Sequence, residues 1–146
     1  MLVCTSGGHF ATMRSLKSFW SMHERVWVSD RKSDTVILEE SEKVHWLAYQ
    51  APRDILALIK NIPKTFQLIR LEKPDVIIST GASIAINFAY IAKSLGLRFI
   101  YIESISRANE LSISGKLVYP ICDEFYVQWA ELCQKYPKAI FKGYAS

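Results

Sequence analysis

Leu2-Val3-Cys4-Thr5-Ser6-Gly7-Gly8-His9 is a short apolar strand that runs into a glycine pair and then directly into a helix-like stretch. That order puts small residues, two hydroxyls and an imidazole where the first strand of an α/β sheet feeds its first helix. Amides at a helix amino terminus carry partial positive charge and favour anions such as phosphate. Glycines let a ligand approach the backbone closely. His9 is the one side chain of the loop that exchanges a proton near neutral pH. The loop has neither the spacing of a P-loop nor the Gly-x-Gly-x-x-Gly of dinucleotide binders. Taken alone it is also compatible with plain turn chemistry.

Working outward, strand-like and helix-like segments alternate, which predicts a Rossmann-like, doubly wound parallel sheet. Strands are expected at Met1–Thr5, Arg25–Ser29, Lys43–Leu47, Val76–Ser79, Arg98–Glu103 and Glu124–Gln128. Helices are expected from His9 to Met22, from Pro52 to about Lys73 and from Ile84 to Leu95. Pro52 suits a first helical turn, Pro63 should kink or split its helix, and Gly96 is a natural stop. Asp30 to Asp34 reads as a polar connection. Val76 to Ser79 has no polar alternation, as expected of a strand covered on both faces.

In such a sheet ligands bind at the carboxyl ends of the strands, where strand order reverses. Gly7, Gly8, His9, Thr80, Gly81, Ser83, Glu103 and Ser104 are therefore expected to converge. Two of them have plainer readings: Ser83 as a helix cap, and Glu103 as a surface ion pair with Arg107.

The chain has 146 residues, half of them hydrophobic, and a formal net charge of +4. One domain with a proper core is expected, and disorder is excluded. Three cysteines form no paired framework, so reduced thiols are expected, with Cys4 in the core. No metal-ligand spacing joins His9, His23 and His45. The mild positive charge suits an anionic membrane surface or a phosphorylated substrate. Nucleic acid is disfavoured because no basic helix or RNA-binding motif stands out. No apolar run approaches the roughly 20 residues of a spanning helix, nor is there a signal peptide, so a cytoplasmic location is expected.

Five pieces then occur in order: Cys4-Thr5-Ser6-Gly7-Gly8-His9, Lys73-Pro74-Asp75-Val76-Ile77-Ile78-Ser79-Thr80-Gly81, Tyr101-Ile102-Glu103-Ser104, Lys116-Leu117-Val118-Tyr119-Pro120 and Val127-Gln128-Trp129. Together they resemble the acceptor-side subunit of split GT-B glycosyltransferases. That family includes bacterial PssD/CpsF-type capsule and exopolysaccharide proteins. It also includes the anchoring subunit of the eukaryotic dolichol-linked N-acetylglucosaminyltransferase.

The layout is similar, too, to the N-terminal half of the peptidoglycan lipid-linked N-acetylglucosaminyltransferase. The resemblance implies a single domain over residues 1–146, half of an inverting enzyme whose donor site lies on a separate catalytic subunit. It implies a UDP-sugar donor in the complex, a polyprenyl-diphosphate-linked sugar as acceptor and no bound metal or other cofactor.

On that reading His9 is the candidate base, with Glu103 as its competitor or as the group that orients the imidazole. Ser6, Gly7, Gly8, Thr80, Gly81, Ser83 and Ser104 would hold the acceptor and its diphosphate. Trp129 and Tyr119 are candidate partner contacts, and the tail from Lys138 to Ser146 is a further docking candidate.

Eukaryotic relatives begin with a membrane-spanning segment, whereas this chain opens on strand one. Peripheral attachment to the inner face of the membrane is therefore expected through a surface. Ile55, Ile59, Ile62, Phe66 and Ile69 fall at helical spacing among Arg53, Lys60, Lys64, Arg70 and Lys73. That pattern suits an anionic interface as well as it suits a helix packed on the sheet. Two other classes stay open: a non-catalytic scaffold that recruits and activates a catalytic partner, and a free-standing nucleotide-binding protein.

Overall fold

Parallel pairing of Leu2 and Val3 with both Trp27–Val28 and Ile78–Ser79 makes the first strand the centre of the sheet. The computed structural model describes residues 1–51 and 53–145. It contains strands β1 (Leu2–Val3), β2 (Trp27–Ser29), β3 (Val44–Trp46), β4 (Val76–Ser79), β5 (Arg98–Ile102), β6 (Glu124–Val127) and β7 (Ala139–Phe141). All seven pair in parallel in the order β3-β2-β1-β4-β5-β6-β7. The expected Rossmann-like sheet is present, with its order reversing between β1 and β4.

The helices are α1 (Gly8–Ser15), α2 (Lys17–Trp20), α3 (Ile55–Glu72), α4 (Ile84–Ser94), α5 (Ile113–Val118) and α6 (Leu132–Lys135), with a 3-10 turn at Val36–Glu40. Several differ from the sequence expectation. The first helix breaks at Leu16, whose φ of −85° and ψ of 16° leave the helical region. Of the kink or split expected at Pro63, the split does not occur: α3 runs through it. A mid-helix proline costs about 3 kcal/mol. Burial of Thr65, Leu68 and Ile69 beyond Pro63 offsets that cost.

Helix α3 is capped by Asp54, whose carboxylate accepts the Ala57 amide at 2.9 Å. The expected role of Pro52 lies outside the described residues. Gly96, at φ 68°, follows α4 as expected. Strand β7, helices α5 and α6 and the 3-10 turn have no counterpart in the sequence expectation, and β7 makes Ala139–Phe141 of the tail a sheet edge.

The core is split by the sheet. On one face Val3, Val28, Ile77, Phe99, Tyr101 and Phe125 pack under α3, α4, α5 and α6. On the other, Leu2, Cys4, Trp27 and Ile78 meet Phe10, Met13 and Trp20 from α1 and α2. Trp20 and Phe10 both stand edge-on to Trp27. Burying side chains of this size contributes about 1.5–3 kcal/mol each. Cys4 is buried as expected, and burial pushes its thiol up to about 12.

Crossovers between parallel strands are right-handed, so those after β3, running outward through β4, β5, β6 and β7, pass on one face. The opposite face over β4–β6 is left as an open groove of about 1150 Å³, floored by Ile78, Ile100, Ile102 and Tyr126.

Phe88 is fully buried in the larger core, so Phe88→Ala is expected to cost about 3–5 kcal/mol in urea unfolding. Ile55 on α3 is 69% exposed, so Ile55→Ser is expected to stay within about 0.5 kcal/mol.

Candidate functional site

Because β1 and β4 are neighbours, the loops that leave their carboxyl ends meet. His9, the second residue of α1, reaches across to the β4–α4 loop. Its Nδ1 lies 2.7 Å from the Thr80 carbonyl oxygen, and the Thr80 hydroxyl donates in return to the His9 carbonyl at 2.7 Å. A carbonyl only accepts, so Nδ1 carries the proton. In the neutral ring, Nε2 then holds the lone pair, oriented by a backbone group.

Gly81 is what makes room for this. It sits at φ 118°, and a Cβ there would lie 2.7 Å from His9 Cε1, 2.8 Å from Nδ1 and 3.2 Å from the Tyr101 hydroxyl. Neither the conformation nor the space suits a side chain. Burial, with Glu103 adding to it, pushes the Tyr101 hydroxyl above its ordinary range, so it stays neutral beside the imidazole.

The loop before His9 is pinned from the other side by Asp30 and Asp34, in the stretch expected only as a polar connection. Asp30 directly follows β2, and its Oδ1 accepts the Ser6 amide at 2.7 Å. Asp34 accepts the Ser6 hydroxyl at 2.6 Å and the Gly7 amide at 2.7 Å. Burial opposes the charge of Asp34. The hydrogen bonds from Ser6, Gly7 and the local Asp34 and Thr35 amides outweigh it and hold the carboxyl below its ordinary value. The Ser6 and Gly7 amides are therefore not free for a phosphate. The amides of Gly8, His9 and Phe10, in the first turn of α1, have no acceptor among the described residues.

The expected members of the β4 loop divide in the same way. Gly81 donates its amide to Ser79 Oγ at 3.2 Å. Ser83 does not cap α4 with its side chain, and its hydroxyl donates to the Gln50 carbonyl at 3.1 Å. The amides of Ala82 and Ser83 have no acceptor among the described residues.

Glu103 does converge on the sheet edge, but not as an exposed group. It is 0% exposed and forms no ion pair with Arg107 among the described residues. Its Oε1 accepts the Ser104 amide at 2.9 Å, and its Oε2 accepts the Ser112 amide and hydroxyl, both at 2.9 Å. A methyl group at Gly115 would overlap that oxygen. The imidazole is oriented by Thr80, and Glu103 instead anchors the start of α5. Ser104 turns its hydroxyl to Ser106 at 3.0 Å.

Tyr119 and Trp129 are both half-buried. The Tyr119 ring stands edge-on to Phe125 and Tyr136, and its hydroxyl accepts the Lys138 amide at 2.7 Å. Trp129 donates from Nε1 to the Ile105 carbonyl at 2.6 Å and meets Tyr144 edge-on. No three His, Cys, Asp or Glu side chains gather as metal ligands among the described residues.

With this geometry in hand, residues 24–145 match the family described as oligosaccharide biosynthesis protein Alg14 like. The chain belongs to that family. It is 31% identical to the UDP-N-acetylglucosamine transferase subunit ALG14 of Yarrowia lipolytica, over 98% of this chain and 79% of that protein. Among solved structures, MurG of Acinetobacter baumannii matches 87% of this chain with a TM-score of 0.67 at 12% identity. MnaA of S. aureus, solved with UDP, matches 99% with a TM-score of 0.76 at 15% identity. The chain spans 41% and 44% of those two proteins, so they show the fold alone: Rossmann-like, of the kind GT-B glycosyltransferases and sugar-nucleotide epimerases carry.

Two outcomes test the site geometry. Gly81→Ala is expected to push the imidazole off the Thr80 carbonyl, read as loss of the single Nδ1–H tautomer in nitrogen NMR of the His9 ring. Asp34 titrates below its ordinary 3.8 in the fold, so its contribution is complete above that value and is lost as pH falls through the lower folded pKa. Asp34→Ala should therefore lower stability at pH 7 and flatten its decline in acid, measured by urea titration across pH.

Proposed function

We propose that this chain is the acceptor-side half of a two-chain, inverting glycosyltransferase. A donor-binding catalytic subunit holds the UDP-sugar, and a polyprenyl-diphosphate-linked sugar is the acceptor. The setting we infer is capsule or exopolysaccharide synthesis at the inner face of the cytoplasmic membrane. The relatives' names make UDP-N-acetylglucosamine the donor to test first.

The observation that carries this reading is the fixed imidazole of His9, with Nδ1–H given to the Thr80 carbonyl and Nε2 left to accept. In the reaction Nε2 takes the proton of the acceptor hydroxyl as its oxygen bonds to the anomeric carbon. The bond from that carbon to the departing UDP oxygen breaks, and UDP leaves with the electron pair. A base so placed contributes on the order of 100- to 10,000-fold. Glu103, closed off by Ser104 and Ser112, supports the β5 loop in this scheme rather than competing for the proton.

The acceptor diphosphate is assigned to the free amides at the amino ends of α1 and α4, with Gly7, Gly8, Thr80 and Gly81 shaping the approach. Helix amino termini suit such anions. Ser6 holds the loop, while Ser83 and Ser104 border the site.

Membrane attachment is assigned to α3. Ile55, Ile59, Ile62 and Phe66 are exposed on it, and only Ile69 of the stripe, 2% exposed, is packed on the sheet. Lys60, Lys64 and Arg70 accompany the stripe on the exposed surface, which favours an anionic interface. Beside it lies an apolar groove of about 490 Å³ lined by Leu58, Ile62, Ile86, Tyr90, Ile91 and Leu117. No described helix is long and apolar enough to cross a membrane. Trp129, which meets Tyr144, itself edge-on to Phe141, is assigned to the partner contact. Tyr119, tied inward, backs that end of the sheet.

His9→Ala in the assembled two-chain enzyme is expected to cut turnover at least 100-fold while co-purification with the partner is unchanged. Unaltered turnover would remove His9 as the base and favour the scaffold reading. Separately, Ile55→Ser with Ile59→Ser should weaken sedimentation with phosphatidylglycerol vesicles and leave the melting temperature unchanged. Equal sedimentation of both forms would exclude the α3 surface.

A further inference from the structure

Resting on the reading of His9 as the base, we propose that Asp34 is a positioning residue: its carboxylate fixes the glycine turn that aims the imidazole. Helix α1 starts one residue after Gly7, which holds φ 85° and ψ −140°. The direction in which α1 leaves, and therefore the place of His9, follows from that single turn. A glycine so placed has many alternatives open to it, so something outside the turn must select this one.

Asp34 does so with both oxygens at once. Oδ1 takes the Ser6 hydroxyl at 2.6 Å, and Oδ2 takes the Gly7 amide at 2.7 Å. The neighbouring Asp30, 3% exposed, takes the Ser6 amide at 2.7 Å.

The segment that carries these carboxylates is itself braced. Thr35 is buried, and its hydroxyl donates to the Asp30 carbonyl at 2.7 Å and accepts the Lys32 amide at 2.9 Å. The β1–α1 loop is thus gripped from the β2 side by two carboxylates and from the β4 side by the paired Thr80–His9 bonds. Hydrogen bonds to an ionised acceptor are about twice as strong as neutral ones, which suits a grip made at an exposed loop. The Thr80 bonds fix the ring only if the helix that carries it is already in place, and Asp34 sets that helix. The same carboxylate keeps an anionic ligand away from the Ser6 and Gly7 amides and leaves it the helix amides beyond.

The test uses the full chain, alone and assembled with its catalytic partner, with Asp34→Ala, Asp34→Asn and Ser6→Ala compared with the unaltered protein. In nitrogen NMR of the His9 ring, identified by its loss in His9→Gln, the unaltered neutral ring is expected as the Nδ1–H tautomer. Asp34→Ala is expected to mix the two tautomers and to lower kcat on the order of 100-fold, as a displacement of about 1 Å does. KM for the UDP-sugar should stay within about twofold, since that site is on the partner. Asparagine keeps an oxygen for the Gly7 amide, so Asp34→Asn should recover most of the tautomer signal and of kcat. Ser6→Ala, which breaks one of the two bonds, should fall between, and it keeps the test available should Asp34→Ala not fold.

An Asp34→Ala protein that is folded, with its ring signal and kcat unchanged, overturns the proposal. So does a loss that Asp34→Asn fails to recover. A tautomer that responds to Asp34 in an enzyme indifferent to His9→Ala would support the positioning geometry and overturn the base assignment alone.

Discussion

The pairing of two loops across the sheet centre, His9 Nδ1 to the Thr80 carbonyl and the Thr80 hydroxyl to the His9 carbonyl, is the constraint from which the rest of the site follows. It exists because β1 and β4 are parallel neighbours with aligned ends. It demands a residue without a side chain at position 81, where the ring needs the space. It also decides the chemistry, since a ring held by a carbonyl at Nδ1 presents a basic Nε2. Each bond is worth about 1 kcal/mol net, too little to hold a mobile loop. The carboxylates of Asp30 and Asp34 matter because they restrict the same loop from the opposite side.

Beyond that centre, the fold leaves apolar surface uncovered in two places. Along α3 the packing is concentrated beyond Pro63 and a row of apolar side chains lies open before it. On the far sheet face, the one-sided crossovers leave β4–β6 without a helix. None of His9, Thr80, Gly81 or Glu103 lines that groove. Rows of exposed apolar side chains and an open apolar groove are surfaces suited to meeting a membrane or another chain. The proposed half-enzyme, working at a lipid surface beside a second subunit, would use both.

Much of this was legible in the residues. Cys4 through His9 announced a strand, a glycine turn and a helix start, and the alternation of elements fixed a parallel sheet. From those two facts the meeting of His9, Thr80 and Gly81 follows, because a parallel sheet lines up its carboxyl ends. Asp30 and Asp34 do not stand out because they sit in a polar stretch with no periodicity. The available signal was positional: the end of β2 lies beside the end of β1, so an acidic residue there faces the glycine loop. The burial of Glu103 is hidden in the sequence for a different reason. A carboxylate at a strand end reads as accessible, and only the packing of α5, with Gly115 against it, shows that it is sealed. Strand β7 has three residues, too few for a pattern, and its pairing with β6 comes from tertiary contact.

The most direct measurement is sugar turnover by this chain and its catalytic partner, together and apart. UDP-N-acetylglucosamine is supplied with a polyprenyl-diphosphate-linked sugar, and transfer to the lipid-linked product is followed. The account predicts product only when both chains are present, since the base and the donor site lie on different subunits. Full transfer by the partner alone would contradict it, because the proton would then be removed without His9.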